Sequence, residues 1–108
     1  MSPLILWGSI NADGTIASGS GGFSVTVQGS GQYVISFRTL FQGFPAVVGS
    51  QNRYGALGES SLDNVVFPLV DSGTATALTG DSDNHQQPRN FAFIAIGNPG
   101  GLNPKHKE

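Results

Sequence analysis

The side chains best suited to chemistry collect in two polar stretches. One is Gln51-Asn52-Arg53-Tyr54, with Glu59 close behind, and the other runs from Asp81 through Ser82, Asp83, Asn84, His85, Gln86, Gln87 and Pro88 to Arg89. Arg, Asn, Gln, Asp and His offer directional donors and acceptors. The ring of Tyr54 can stack on a sugar face. Asn52, Arg53, Tyr54, Asp81, Asp83, Asn84, His85 and Arg89 are therefore the expected ligand-binding set. Their chemistry suits a polyhydroxylated ligand, with an ordinary solvated loop as the alternative for each residue.

Other chemistries are poorly served. Cysteine is absent, which excludes disulfides, thiolate metal sites and a Cys nucleophile. His85 and His106 are too few for a three-ligand zinc site. Asp81-Ser82-Asp83-Asn84 could bring oxygen atoms to calcium, but the stretch lacks the loop pattern and the bidentate Glu of an EF-hand. No metal or cofactor is therefore expected, calcium being the one ion the stretch could attract. A Gly-x-Ser-x-Gly nucleophile elbow does not occur. Glu59, Asp63, Asp81 and Asp83 could in principle pair as acid and base for glycoside hydrolysis. Nothing local assigns those roles, so the expectation is a protein that is not an enzyme. The basic residues Arg38, Arg53, Arg89, Lys105 and Lys107 form no cluster, which argues against nucleic acid. No apolar run approaches the roughly 18 residues needed to span a bilayer.

The elements that must position these loops read as strands. The 108 residues include 16 Gly and 6 Pro, with 38% hydrophobic and 11% charged residues and a net charge of −2. An average domain carries about 25% charged residues. Short apolar runs alternate with Gly, Ser, Asn and Asp, and no helical spacing is sustained. In the clearest segment, Phe23, Val25 and Val27 alternate with polar residues, Gly29-Ser30-Gly31 turns the chain, and Tyr33, Ile35 and Phe37 alternate on the return. This is a hairpin pattern. A second hairpin pairs 4–10 with 15–18 across Asn11-Ala12-Asp13-Gly14. Further strands are expected over 46–50, 64–70, 74–79 and 90–97, with Pro68 marking an edge or a bulge. The expected fold is all-β, a small antiparallel β-sandwich of six to eight strands. It occupies residues 1–98, with 99–108 as a tail of the kind an expression sequence can add. If eight strands alternate in direction, the loops 11–14, 29–31, 51–63 and 80–89 share one end.

Two strands break the alternation. Leu4-Ile5-Leu6-Trp7 and Phe91-Ala92-Phe93-Ile94-Ala95-Ile96 are apolar on both faces. Such strands need cover on both sides, and interface cores are depleted in charge. Leu4, Leu6, Trp7, Phe91, Phe93, Ile94 and Ile96 are the expected surface of a homo-oligomer. The alternative is a single wrapped core without a partner.

The run from Trp7 to Gly21, with its continuation through Phe23-Ser24-Val25-Thr26, Gly31-Gln32-Tyr33, Ile35 and Phe37, resembles small β-rich modules at the ends of bacterial collagen-like and phage tail-fibre proteins. The similarity covers residues 7 to 97. It implies a trimeric head at the tip of a fibre, on an extracellular or virion surface. The second half also resembles H-type lectins. Phe37, Phe41, Phe44-Pro45 and Val47-Val48 are similar to that family's Phe-rich run and Pro-Val-Val strand. Phe93, Ala95 and Gly97 are similar to its closing Trp-x-Ala-x-Gly pattern, with Phe93 in place of Trp. This resemblance implies a six-stranded trimeric sandwich that binds sugars at loop ends between protomers, with His85 and Arg53 as contacts. The implied partners are copies of the chain and a cell-surface glycan or protein receptor. The alternative role is a structural trimerisation cap without a ligand of its own.

Overall fold

The computed structural model describes residues 2–106. Its ten strands are β1 (Leu4–Ile10), β2 (Ile16–Gly19), β3 (Phe23–Gly29), β4 (Gln32–Phe37), β5 (Thr39–Phe41), β6 (Ala46–Gln51), β7 (Asn64–Val70), β8 (Thr74–Gly80), β9 (Phe91–Gly97) and β10 (Pro99–Leu102). They form two antiparallel four-stranded sheets. Sheet I has the order β2-β1-β9-β6 and sheet II the order β3-β4-β8-β7, while β5 and β10 form a small third pair. The all-β antiparallel sandwich is as expected, with eight main strands and two short ones.

Period-two alternation decides which faces meet. Sheet II contributes Phe23, Tyr33, Ile35, Phe37, Val65, Ala75 and Ala77 to the core, and sheet I contributes Leu6, Ile10, Phe91, Phe93 and Ala95. Each fully buried large apolar side chain stabilises the fold by about 1.5–3 kcal/mol. Aromatic rings bridge the layers. Phe23 meets Phe93 edge to face with centroids 5.0 Å apart, and Tyr33 meets Phe91 at 5.0 Å. Gly8 makes room for the first pair, since a Cβ there would lie 2.6 Å from the Phe23 ring and 3.0 Å from Phe93.

Pro68 lies on β7, an edge strand, and the β7–β8 register shifts between Val66 and Leu69. It is thus at an edge and at an irregularity, where its missing N–H costs no ladder bond.

The chain after Asn98 differs from the expected tail. Pro99–Leu102 is β10, paired with β5, and Gly100 lies so close to Leu40 that a Cβ would come within 2.9 Å of its carbonyl oxygen. Asn103 Nδ2 donates to the Phe37 carbonyl at 2.9 Å and to the Gly73 carbonyl at 3.3 Å. Its backbone N–H donates to the Arg38 carbonyl. The folded body therefore runs beyond residue 98 to at least residue 103. Pro104, Lys105 and His106 follow, with Ser36 Oγ and His106 Nδ1 in hydrogen-bond contact at 3.1 Å, and the last two residues of the expected tail, Lys107 and Glu108, lie outside the described residues.

Candidate functional site

Two surfaces stand out, one at an end of the sandwich and one on a face. The loops 11–14, 30–31, 52–63 and 81–90 meet at one end, as alternating strand direction requires. Hydrogen bonds join them. Buried Tyr33 donates from its hydroxyl to the Ala12 carbonyl at 2.7 Å and accepts from the Arg89 backbone N–H at 3.3 Å. Asn90 Oδ1 accepts from the Ala12 N–H at 2.8 Å, and Asn90 Nδ2 donates to the Arg53 carbonyl at 3.2 Å. Gln51 is buried where β6 ends, and its Nε2 donates to the carbonyls of Asn64 and Gly80. Gly31 closes the β3–β4 turn with φ +72, and a Cβ there would lie 2.6 Å from the Thr79 carbonyl oxygen.

Several expected ligand contacts are engaged in holding these loops. Arg53 has φ 53, and its guanidinium donates to Asn11 Oδ1 at 3.0 Å and to the Ile10 carbonyl at 3.2 Å. Tyr54 donates to Gln51 Oε1 at 2.9 Å, and burial raises its hydroxyl pKa. Arg89 pairs with Asp63 at 2.9 Å and with Glu59 at 3.6 Å. Among the described residues, buried Asn52 Oδ1 has no hydrogen-bond partner. Asp81 shapes its own loop. Its Oδ1 accepts the N–H groups of Asp83 and His85, each at 2.9 Å, and its Oδ2 accepts from Gln87 Nε2 at 2.6 Å. The His85 N–H is the main cause holding the Asp81 carboxyl below its ordinary value.

The expected set thus divides in two. Arg53, with Asn11 and Asn90, lies over the end of sheet I, while Asp81, Asp83, Asn84 and His85 form the loop leaving β8 in sheet II. Among the described residues no hydrogen bond or ion pair joins Arg53 to His85. Asp83, Asn84 and His85 remain exposed, and Asn84 turns the chain with φ 64. Beside them lies an open cleft of about 320 Å³ between Leu62, Asn64, Val66, Leu78, Ser82 and His85. Asp81, Asp83 and His85 offer ligand atoms within 4.8 Å of one another, but the Asp81 oxygens already accept the bonds that shape the loop. Gln51 and Asn90, which tie the loops together, were not among the expected residues. Their position at strand ends is a sequence signal only once the pairing is known.

The second surface is the outer face of sheet I. Strand registers arrange it in cross-strand rows. Ala46, Ile96 and Ile5 form one row, Val48, Ile94 and Trp7 the next, and Ser50, Ala92 and Ser9 a third toward the loop end. Ile5, Trp7, Val48, Ile94 and Ile96 are 38–63% exposed. This divides the expected oligomer surface. Trp7, Ile94 and Ile96 lie outside, whereas Leu6, Phe91 and Phe93 point into the chain's own core, with Leu4 packed against its margin. The alternation of β1 and β9 separates the two groups, and Ile5 and Val48 join the outer one. The outer face of sheet II is different in kind. Its rows are Ser24, Ser36 and Thr74, then Thr26, Val34, Thr76 and Leu69, then Gln32, Leu78 and Val66, so hydroxyls alternate with apolar side chains. Every Asp, Glu, Lys and Arg among the described residues lies outside the ten strands.

Comparison of the chain with protein-family models, curated proteins and solved structures found no match.

Proposed function

We propose that this chain is a non-enzymatic head module that assembles with copies of itself through the outer face of sheet I, three copies being the expected number. The observation that carries the reading is the contrast between the two outer faces. One mixes hydroxyls with separate apolar side chains, Val34, Leu69, Leu78 and Val66 standing among Ser24, Thr26, Ser36 and Thr74. The other presents Ile5, Trp7, Val48, Ile94 and Ile96 in adjoining rows with no charge among them. Contiguous apolar surface of this kind marks interaction sites. Assembly would hold the polar loops of each copy at the free end of a structural cap.

Trp7 is the only tryptophan, and it is 44% exposed in the single chain. Its fluorescence therefore reports the face directly. A red shift of emission on dilution, reversed on concentration, is the expected result. Emission that is red and independent of concentration opposes the proposal.

A second reading is carbohydrate recognition at the loop end. It is supported by the exposed Asp83, Asn84 and His85 beside their cleft. On this reading His85→Ala abolishes binding on a glycan array without changing thermal stability. Retained binding removes His85 from the site.

A further inference from the structure

The edges of the two sheets are not equally protected. Free strand edges invite pairing with another chain, and proteins blunt them with short strands, prolines, bulges, charges or covering elements. β7 carries Pro68 and its irregularity. β6 has β7 close beside it, with the Phe67 ring against Gly49, and β3 is approached by the β1–β2 hairpin, where Gly14 lies against Val27 and Gly19 against Phe23. β2 is only four residues long, and its register with β1 shifts between Ser9 and Ile10. β3 is seven residues long, Phe-Ser-Val-Thr-Val-Gln-Gly, with no charge and no proline, and among the described residues β4 is its one ladder partner. Its register with β4 is regular from Phe23 to Val27 and shifts only after that. An open cleft of about 580 Å³, lined by Thr15, Ile16, Phe23, Ser24, Val25 and His106, runs beside it.

We infer that the free edge of β3 is a strand-addition site, and that its occupant is β3 of a second copy, paired antiparallel about a two-fold axis at Val25. The sequence is suited to meeting itself. In that register Ser24 faces Thr26 of the second copy, Phe23 faces Val27, and Val25 faces Val25. Hydroxyl pairs and aromatic–β-branched pairs across antiparallel strands are favourable, and like charges directly opposite are not. A two-fold contact places the same surface on both sides, so a charged strand would risk opposing itself; this one carries none. The pairing joins two copies of sheet II into one eight-stranded sheet. It uses a surface separate from the outer face of sheet I.

Paired charges test the register. The double variant Ser24→Lys/Thr26→Lys sets lysines opposite one another across the axis, while Ser24→Lys/Thr26→Glu sets lysine opposite glutamate. Residues 24 and 26 share one face of β3, so the two charges also meet within a monomer, and thermal melting of each variant is read beside its mass to separate a folding cost from a pairing cost. The measurement is mass in solution by light scattering over a concentration series, beside the wild type and Ile94→Asp. The Lys/Lys protein is expected at half the wild-type mass and the Lys/Glu protein at the full mass. A Lys/Lys protein with wild-type mass overturns the β3 pairing, as does a Lys/Glu protein that falls with it. Loss of mass in Ile94→Asp alone would leave the sheet I proposal standing and remove this one. Loss in Lys/Lys alone would do the reverse.

Discussion

Gln51 sits where β6 ends, β7 begins and β8 ends, and its amide serves all three. Its Nε2 satisfies two backbone carbonyls while its Oε1 accepts from Tyr54. Removing a buried hydrogen-bond partner costs about 1–3 kcal/mol. Gln51→Ala is therefore expected to lower unfolding free energy by an amount in that range, measured by urea denaturation. The sequence shows Gln51 as one more polar residue at the head of a polar loop. Its burial comes from the packing of strands far apart in the chain, which no local pattern encodes. Arg53 and Arg89 carry the same lesson. Their residue types suit a ligand, and tertiary placement gives them Asn11 and Asp63 instead. Asp71 shows what local pattern does encode. In the turn Asp71-Ser72-Gly73, its Oδ1 accepts the N–H groups of Gly73 and Thr74, each at 2.8 Å. The Gly73 N–H is the chief cause of a carboxyl pKa below its ordinary 3.8, with burial opposing. A depressed folded pKa contributes stability above the unfolded value and loses it as pH falls through the folded one. Asp71→Asn should thus melt below wild type at neutral pH, by a small amount because the carboxylate is exposed. The gap should close as pH drops below 3.8.

Elements were legible where alternation was strict. Residues 23 to 37 form the β3–β4 hairpin with Val25 opposite Ile35, as their spacing predicts. Strict strand alternation also places the four polar loops at one end. β5 continues from β4 just past Arg38, and β10 follows the last main strand, so the two short additions leave that parity intact. β10 was illegible because Pro99-Gly100-Gly101 carries no apolar pattern; its place is set by close backbone approach to Leu40 and by the amide of Asn103. A chain ended at Asn98 loses those bonds and exposes one side of β5. Its stability is expected to fall by more than about 1 kcal/mol, read from the urea midpoint. A disposable tail would leave that midpoint unchanged.

At the scale of the whole molecule, charge is sorted by position. The loop end holds Asp13, Glu59, Asp63, Asp81 and Asp83 against Arg53 and Arg89. The opposite end holds Arg38 and Lys105 against Asp71. The loop end therefore carries a net negative field, screened within about 8–10 Å at ordinary salt. On the carbohydrate reading, neutral glycans are favoured there over sulfated ones, and an array at low salt should show that order. The strands between the two ends carry no charge. Composition hinted at this, since charged residues are only 11% of the chain. Which side of β1 and β9 faced outward emerged only from the register that sets Trp7 beside Ile94.

The central claim is that the outer face of sheet I meets a second copy. Ile94 lies in the middle of that face and is 48% exposed in the single chain, so a carboxylate there has water available in the monomer and none in the assembly. The decisive measurement is the light-scattering mass of wild type and Ile94→Asp at matched concentration, with thermal melting of the same samples. A multimeric wild type and a folded variant of lower mass are predicted. Identical masses for the two proteins would contradict the claim.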